Sequence, residues 1–397
     1  MQIYRNPRAA SAIADPVPLP LARRTLALAA LSHALHDGYT DAIYVLLPVW
    51  QSEFGLGYGA LALLRGINTG ATAALQIPAG RIAARLGGRT VLALGTALAA
   101  IGYALAGFSG GLAGLAGALA VSGSGSSTQH PLASAAVARS YGAQARGPLG
   151  TYNFAGDLGK AALPALVSLL LISMTWRRAA ELMALLGLLV ALAINACMPN
   201  FARSGTSAEV QGQGSGRGGF ALLFSIGVLD TGVRMGFLTF LPFLLRAKGA
   251  PMPVVGLALA LVFLGGAAGK FVCGWLGARL GLLVIVLATE ISTACAIMGV
   301  IVLPLAPALA LLPLLGLMLN GTSSVLYGTV PELAAPGRTE HAFALFYTGT
   351  IGSGAISPVL YGFIGDWAGA DWGAAASAAA ALLTCPLAVL LAPRLRR

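Results

Sequence analysis

The chain is 397 residues long, 57% hydrophobic and only 9% charged, against about 25% charged in an average soluble domain. A water-soluble globule is excluded. Its 24 Lys and Arg outnumber 13 Asp and Glu, for a net charge of +11, but the positive residues sit in short gaps between apolar stretches, as in a membrane protein and not a nucleic-acid binder.

About 20 apolar residues carry a helix across the hydrocarbon core. Cutting the chain at its Pro, Gly and charge clusters predicts twelve spans: 24–50, 57–84, 90–108, 112–139, 147–173, 178–198, 220–246, 251–278, 282–303, 308–334, 340–365 and 372–391. Residues 1–23 form an N-terminal tail without the apolar core of a signal peptide. Residues 24–198 make a first six-helix bundle, 199–219 a Gly/Ser-rich linker, 220–391 a second bundle and 392–397 a basic tail. The four cysteines (Cys197, Cys273, Cys295, Cys385) lack CxxC spacing, so neither a disulfide framework nor a thiolate metal site is indicated.

The two halves repeat each other. At an offset of 194 residues Pro48 falls on Pro242, Gly55 on Gly249, and Gly80-Arg-Ile-Ala-Ala-Arg-Leu-Gly87 on Gly274-Trp-Leu-Gly-Ala-Arg-Leu-Gly281; at 195, Tyr152 and Gly159 fall on Tyr347 and Gly354. This reads as an internal duplication. Placing the N-terminus inside puts sixteen of the basic residues in the cytoplasm, Arg81, Arg85, Arg89 and Arg279 among them, and four on the other face (Arg177, Arg178, Arg246, Lys248). Both termini and the linker are therefore expected on the cytoplasmic side of a bacterial-type inner membrane.

With twelve spans, a two-fold repeat and a Gly-x-x-x-x-Arg-x-Gly loop after the second and eighth spans, the chain resembles the major facilitator superfamily. Gly80, Ile82, Arg85, Gly87 and Arg89 fit the family's loop signature, as do Gly274, Leu276, Arg279 and Gly281. Both copies carry Ala, at 84 and 278, where the family usually has an Asp that latches neighbouring helices on the cytoplasmic side. A narrower resemblance, to fosmidomycin-resistance-type members, rests on His33-Ala-Leu-His-Asp37-Gly-Tyr, Leu47-Pro48, Phe54-Gly-Leu-Gly-Tyr58 and Arg234-Met-Gly-Phe-Leu-Thr-Phe-Leu-Pro242. It implies an all-α fold of two six-helix bundles and proton-driven efflux, by antiport, of a small and often anionic compound. Gly80, Arg85, Gly87, Arg89, Gly274, Arg279 and Gly281 would be its gating loops.

Ionisable side chains are costly in mid-membrane, about 2.5–3.5 kcal/mol or more each, and so mark function. The spans enclose Asp37, Asp41, Arg65, Asp157, Lys160, Asp230, Arg234, Lys270 and Glu290. His33, Asp37 and Asp41 follow at i, i+4, i+8 on one face of the first helix, with Tyr44 slightly off that line. Two carboxylates one turn apart in low dielectric oppose each other's ionisation, the property a proton carrier needs. Asp37, Asp41 and His33 are the candidate proton-coupling groups. The alternative is a structural salt bridge from Asp37 to Arg65 or Arg234.

Asp230 and Arg234 stand at i, i+4 on the seventh span, either as a self-satisfied pair or with Arg234 presenting its fork of donors to an anionic ligand. The fourth span carries Ser122, Ser124, Ser126, Ser127, Thr128, Gln129 and His130, and the tenth Asn320, Thr322, Ser323, Ser324 and Tyr327. These polar runs line a ligand cavity or permit close helix packing. Candidate substrate-binding residues are Arg234, Asp230, Arg65, Tyr44, Gln129, His130, Asp157, Asn320, Tyr327 and Tyr347. A divalent-metal carrier using His33, Asp37, Asp41 and His130 is the rival reading. His36 and Asp41 repeat a His-x4-Asp spacing of membrane acyltransferases, but inside a span with no soluble domain, so no enzyme is expected. No cofactor and no resident metal are implied; the expected partners are a small-molecule substrate, protons and the lipid bilayer, acting on a monomer.

Overall fold

The computed structural model describes residues 18–199, 219–335 and 338–395. Nearly all of the 199–219 linker, most of the N-terminal tail and the last two residues of the basic tail lie outside the described residues. The helices are α1 (Leu19–Phe54), α2 (Tyr58–Leu86), α3 (Gly88–Gly107), α4 (Leu112–Ser126), α5 (Gln129–Tyr141), α6 (Arg146–Ser173), α7 (Trp176–Cys197), α8 (Phe220–Ala247), α9 (Met252–Leu280), α10 (Leu282–Val302), α11 (Leu305–Leu333), α12 (Thr339–Ala368) and α13 (Ala370–Leu391). Nine of them, α3 and α6 to α13, are long and apolar enough on their own to cross a membrane, among the described residues. α1 and α2 are long enough but carry the polar residues of the site, and α4 and α5 are short.

Those short helices correct one expectation. The fourth span, read as continuous over 112–139, breaks at Ser127 and Thr128. Pro131 cannot donate to the Ser127 carbonyl one turn back, and its ring crowds that carbonyl. The hydroxyls take up the freed backbone: Ser127 Oγ donates to Ser124 O (2.7 Å) and Thr128 Oγ1 to Gly125 O (3.0 Å). Much of the polar run thus serves its own backbone. Its glycines serve packing, since a Cβ on Gly123 would lie 2.3 Å from Asn68 O and one on Gly125 2.3 Å from Ala99 N.

The duplication is visible in the backbone. Gly55 (φ 63°) pairs with Gly249 (82°), and Gly87 (91°) with Gly281 (81°). All four sit in the left-handed region that only glycine enters without strain, so equivalent helix ends in each half need glycine. Pro48 and Pro242 both lie inside helices.

Twelve crossings put the start of α1 and the end of α13 on the same side as the end of α7 and the start of α8, called here the linker side. The halves approach each other most closely toward the opposite, far side. There α2 meets α12, where a Cβ on Gly66 would sit 2.6 Å from Ala355 O and one on Gly362 2.7 Å from Gly59 Cα. α6 meets α9 where a Cβ on Gly256 would strike Ser168. Such glycine contacts let backbones touch where no apolar solvent effect drives helices together. On the linker-side stretches of α2, α6 and α12, Gly80, Gly147, Gly150 and Gly352 have nothing within 4 Å of an added Cβ. The space between the halves opens toward the linker side.

Candidate functional site

α1 is held against α6 by backbone contact. A Cβ on Gly159 would lie 2.0 Å from Ala34 O, and one on Gly156 2.6 Å from the His33 ring. This approach sets the α6 side chains beside Asp37. Lys160 Nζ is 3.2 Å from Asp37 Oδ2, and both His33 Nε2 (3.5 Å) and His36 Nε2 (3.7 Å) face the same carboxylate. His33 Nδ1 meets Tyr152 O at 2.9 Å while its ring stacks on Tyr152 at 4.1 Å. A carbonyl only accepts, so Nδ1 is the donor in this contact. His130, exposed at the start of α5, stands edge-on to both rings, 5.2 Å from His33 and 4.9 Å from His36.

The ion pairs continue across the molecule. Lys160 Nζ also lies 3.7 Å from Asp157 Oδ1, and Asp157 accepts from Lys270 Nζ of α9 at 2.5 and 2.8 Å. Asp37, Lys160, Asp157 and Lys270 thus form a chain of alternating charge running from α1 through α6 into the second half. Asp37 is paired with neither Arg65 nor Arg234, the partners of the alternative structural reading. Asp41 has its own cation, Arg65 Nη2 at 3.6 Å, so each carboxylate of the first helix is matched to a different positive charge and Asp41 stands apart from the histidine cluster. Arg65 donates to Thr69 and lies over the Tyr44 ring at 5.1 Å, and Tyr44 reaches Met235 Sδ of the other half at 3.4 Å.

In the second half Asp230 and Arg234 are not in direct ionic contact. Ser323 of α11 stands between them, accepting from Arg234 Nη1 and donating to Asp230 Oδ2, both at 3.0 Å. Glu290 of α10 is 2% exposed, and its Oε2 has no hydrogen-bond partner. Arg234 Nε has no hydrogen-bond partner. Tyr327 bonds Thr350 at 3.2 Å and packs on Tyr347, which is half exposed. Asn320 is turned to its own helix, donating to Gly316 O at 3.1 Å. Gln129 donates to Ser32 Oγ at 2.9 Å and lines a small cavity with Leu35, His36, Tyr39, Thr96 and Thr128, enclosed within the first half.

The loop residues fall at helix ends. Gly87 and Gly281 cap α2 and α9, Arg89 Nη1 donates to Met198 O (3.4 Å), and Arg279 lies 3.9 Å over the Trp275 ring. Gly80 and Gly274 have open space where a side chain would be. Sequence reasoning marked Lys160, Lys270 and Glu290 as in-span charges without giving them a role, and left His36 and Tyr152 out of the site. The signal that α6 meets the His33–Asp37 face was Gly156-x-x-Gly159, a small-residue face that marks α6 as a close neighbour of another helix.

The sequence profile of the Major Facilitator Superfamily matches residues 28–214. Among solved structures, the chain is similar to a bacterial homolog of the human lysosomal transporter Spinster in an inward-facing, unoccupied conformation, with a TM-score of 0.80 at 14% identity over 95% of this chain and 98% of that one. This is the major facilitator fold. The major facilitator arrangement is shared with the nucleoside transporter NupG (TM-score 0.74, 15% identity, 93% of this chain and 98% of that one) and the human organic anion transporter TETRAN (0.62, 18%, 92% and 99%). No curated protein sequence matches the chain. At such identities the likeness carries the fold of a multi-pass membrane protein and not a substrate.

Proposed function

We propose that the chain is a major facilitator superfamily transporter that exports a small organic anion across a bacterial-type inner membrane in exchange for protons, by alternating access, as a monomer with both termini cytoplasmic. The observation that carries this reading is the charge chain Asp37, Lys160, Asp157, Lys270. While Asp37 is ionised it holds Lys160. A proton on Asp37 cancels that attraction and leaves Lys160 to Asp157, the partner that Lys270 of the other half also uses. Proton occupancy on α1 is thereby felt at the contact between the halves, and alternating access requires such a coupling between two conformations. Asp41, one turn away and matched by Arg65, is the second proton-coupling group of this reading.

Arg234 supports an anionic substrate. Its guanidinium is half-buried, bonded to a hydroxyl and not to a carboxylate, with Nε unpartnered. A carboxylate or phosphonate would complete its fork of donors. Tyr327, Tyr347 and Lys270 complete the proposed site. The opening toward the linker side, together with the excess of Arg on that side, supports loading from the cytoplasm, and the resemblance to fosmidomycin-resistance-type members supports efflux.

The test starts from purified protein, screened by thermal shift against organic anions, organic cations and divalent metals; an anion should raise the melting temperature. In proteoliposomes, Asp37→Asn should retain binding and exchange of that anion across the membrane and lose accumulation against a gradient. Full gradient-driven transport by Asp37→Asn would overturn the coupling assignment, and stabilisation by cations alone would overturn the substrate class.

A further inference from the structure

Beyond transport, the geometry points to a transition-metal site: we infer that His33, Asp37 and His130 bind a Zn(II)-class ion. One ligand atom from each of these residues lies within 4.8 Å of the others, a spacing an ion between them would close. Two imidazoles and a carboxylate with further positions open suit Zn(II), Co(II) or Ni(II).

The strongest observation is His33. Its Nδ1–H is tied to the Tyr152 carbonyl at 2.9 Å, and its ring is fixed by stacking on Tyr152. Metal-binding histidines are commonly oriented in this way, with one nitrogen donating to a backbone carbonyl so that the other turns its lone pair to the ion. Nε2 of His33 is that other nitrogen. It is buried, belongs to a residue 4% exposed, makes no hydrogen bond, and faces Asp37 Oδ2 at 3.5 Å. A buried polar atom without a partner is costly, and an ion would satisfy it. His130 is exposed, so a path to the cluster exists, and His36 stands beside it with Nδ1 also unpartnered.

Lys160 opposes a dication, since its ammonium is 3.2 Å from the same carboxylate. It has a second anion within reach, Asp157 at 3.7 Å. Metal binding therefore demands that Lys160 move from Asp37 to Asp157. The bound ion would also tie α1 to α5 through His130.

The experiment uses the full chain in detergent, with any affinity tag removed and metal stripped by chelator, and Co(II) alone as the probe. Stoichiometric Co(II) should develop the visible absorption of a low-coordinate nitrogen and oxygen site, and one equivalent of Zn(II) should abolish it. His130→Gln, a change at an exposed position, should weaken Co(II) binding at least tenfold while leaving the fold intact by circular dichroism. His341→Gln, outside the cluster, should change nothing. Absence of the Co(II) band, or a band unchanged in both His130→Gln and a folded His33→Gln, overturns the site. Binding is read without substrate or gradient, so this result is independent of whether the transport reading holds.

Discussion

Asp366 offers the most direct perturbation of the balance between the two open states. It lies at the far-side end of α12, and its carboxylate accepts from the backbone of the other half, Tyr58 N at 2.5 Å and Gly59 N at 3.0 Å. These are the first two residues of α2, whose own N-cap, Gly57, supplies no side chain to its unpaired amides. Asp366 therefore caps α2 from across the interface, and an anion there also favours the positive end of the helix dipole. Losing a cap costs about 0.5–2 kcal/mol. Because Asp366 is exposed, solvent screening favours the lower part of that range, and ~1 kcal/mol corresponds to roughly a fivefold change in an equilibrium. The cap exists only while the far side is shut, so Asp366→Ala should raise the far-side-open population about fivefold, and Asp366→Asn, which keeps one acceptor, by less. Spin labels at Leu63→Cys and Leu360→Cys, both outward-facing positions on α2 and α12, in a background with Cys197, Cys273, Cys295 and Cys385 replaced, report the separation. An unchanged distance distribution in Asp366→Ala, with only the melting temperature lowered, would mean that the carboxylate stabilises α2 locally and does not set the state.

Three further outcomes follow from the contacts. Arg234→Lys keeps the charge but loses the fork and should weaken anion binding about tenfold, with Arg234→Ala weaker still; normal affinity in Arg234→Ala, measured by thermal shift, would make the residue structural. Lys270→Met removes the inter-half partner of Asp157 at 2.5 Å, leaves Lys160 as its only cation among the described residues, and should slow gradient-driven transport more than it lowers stability. Gly159→Ala would place a methyl 2.0 Å from Ala34 O and force α1 from α6, costing about 1–3 kcal/mol of stability, whereas Gly70→Ala, in open space, should be neutral by the same melting assay.

The fold was legible because a membrane leaves few choices. Apolar length fixes the helices, and the offset repeat fixes their grouping into two sets. The break after Ser127 was also encoded, by Pro131, but apolar length alone cannot separate a continuous helix from one interrupted at depth. The site was legible in kind and not in pairing. Helical periodicity placed His33, Asp37 and Asp41 on one face because that relation is local. Which cation meets which carboxylate depends on α6 packing against α1, and residues 37 and 160 are distant in sequence. The i, i+4 rule suggested a direct Asp230 to Arg234 pair; Ser323, from another helix, took the place between them.

The two acids that the linker-side loops lack and the one acid on the far side act in the same direction. In the family the chain resembles, an Asp in these loops latches the cytoplasmic side, and here Ala84 and Ala278 are both exposed, next to loop glycines with open space around them. Nothing at positions 84 and 278 can cap a partner helix when the linker side closes. On the far side Asp366 caps α2 when that side closes. The far-side-shut state is thus favoured from both ends, which accounts for an opening on the linker side without invoking a bound ligand. Restoring the acid by Ala84→Asp should stabilise the linker-side-shut state and raise the far-side-open population measured with the labels at 63 and 360. Because the two substitutions act at opposite membrane faces and share no partner, their free energies should add in the double variant Ala84→Asp, Asp366→Ala. Single changes of about fivefold each would then combine to roughly 25-fold. A double variant no more open than Asp366→Ala alone would show that the loop at 84 no longer meets a partner helix, and that the closed linker-side face is built from other contacts.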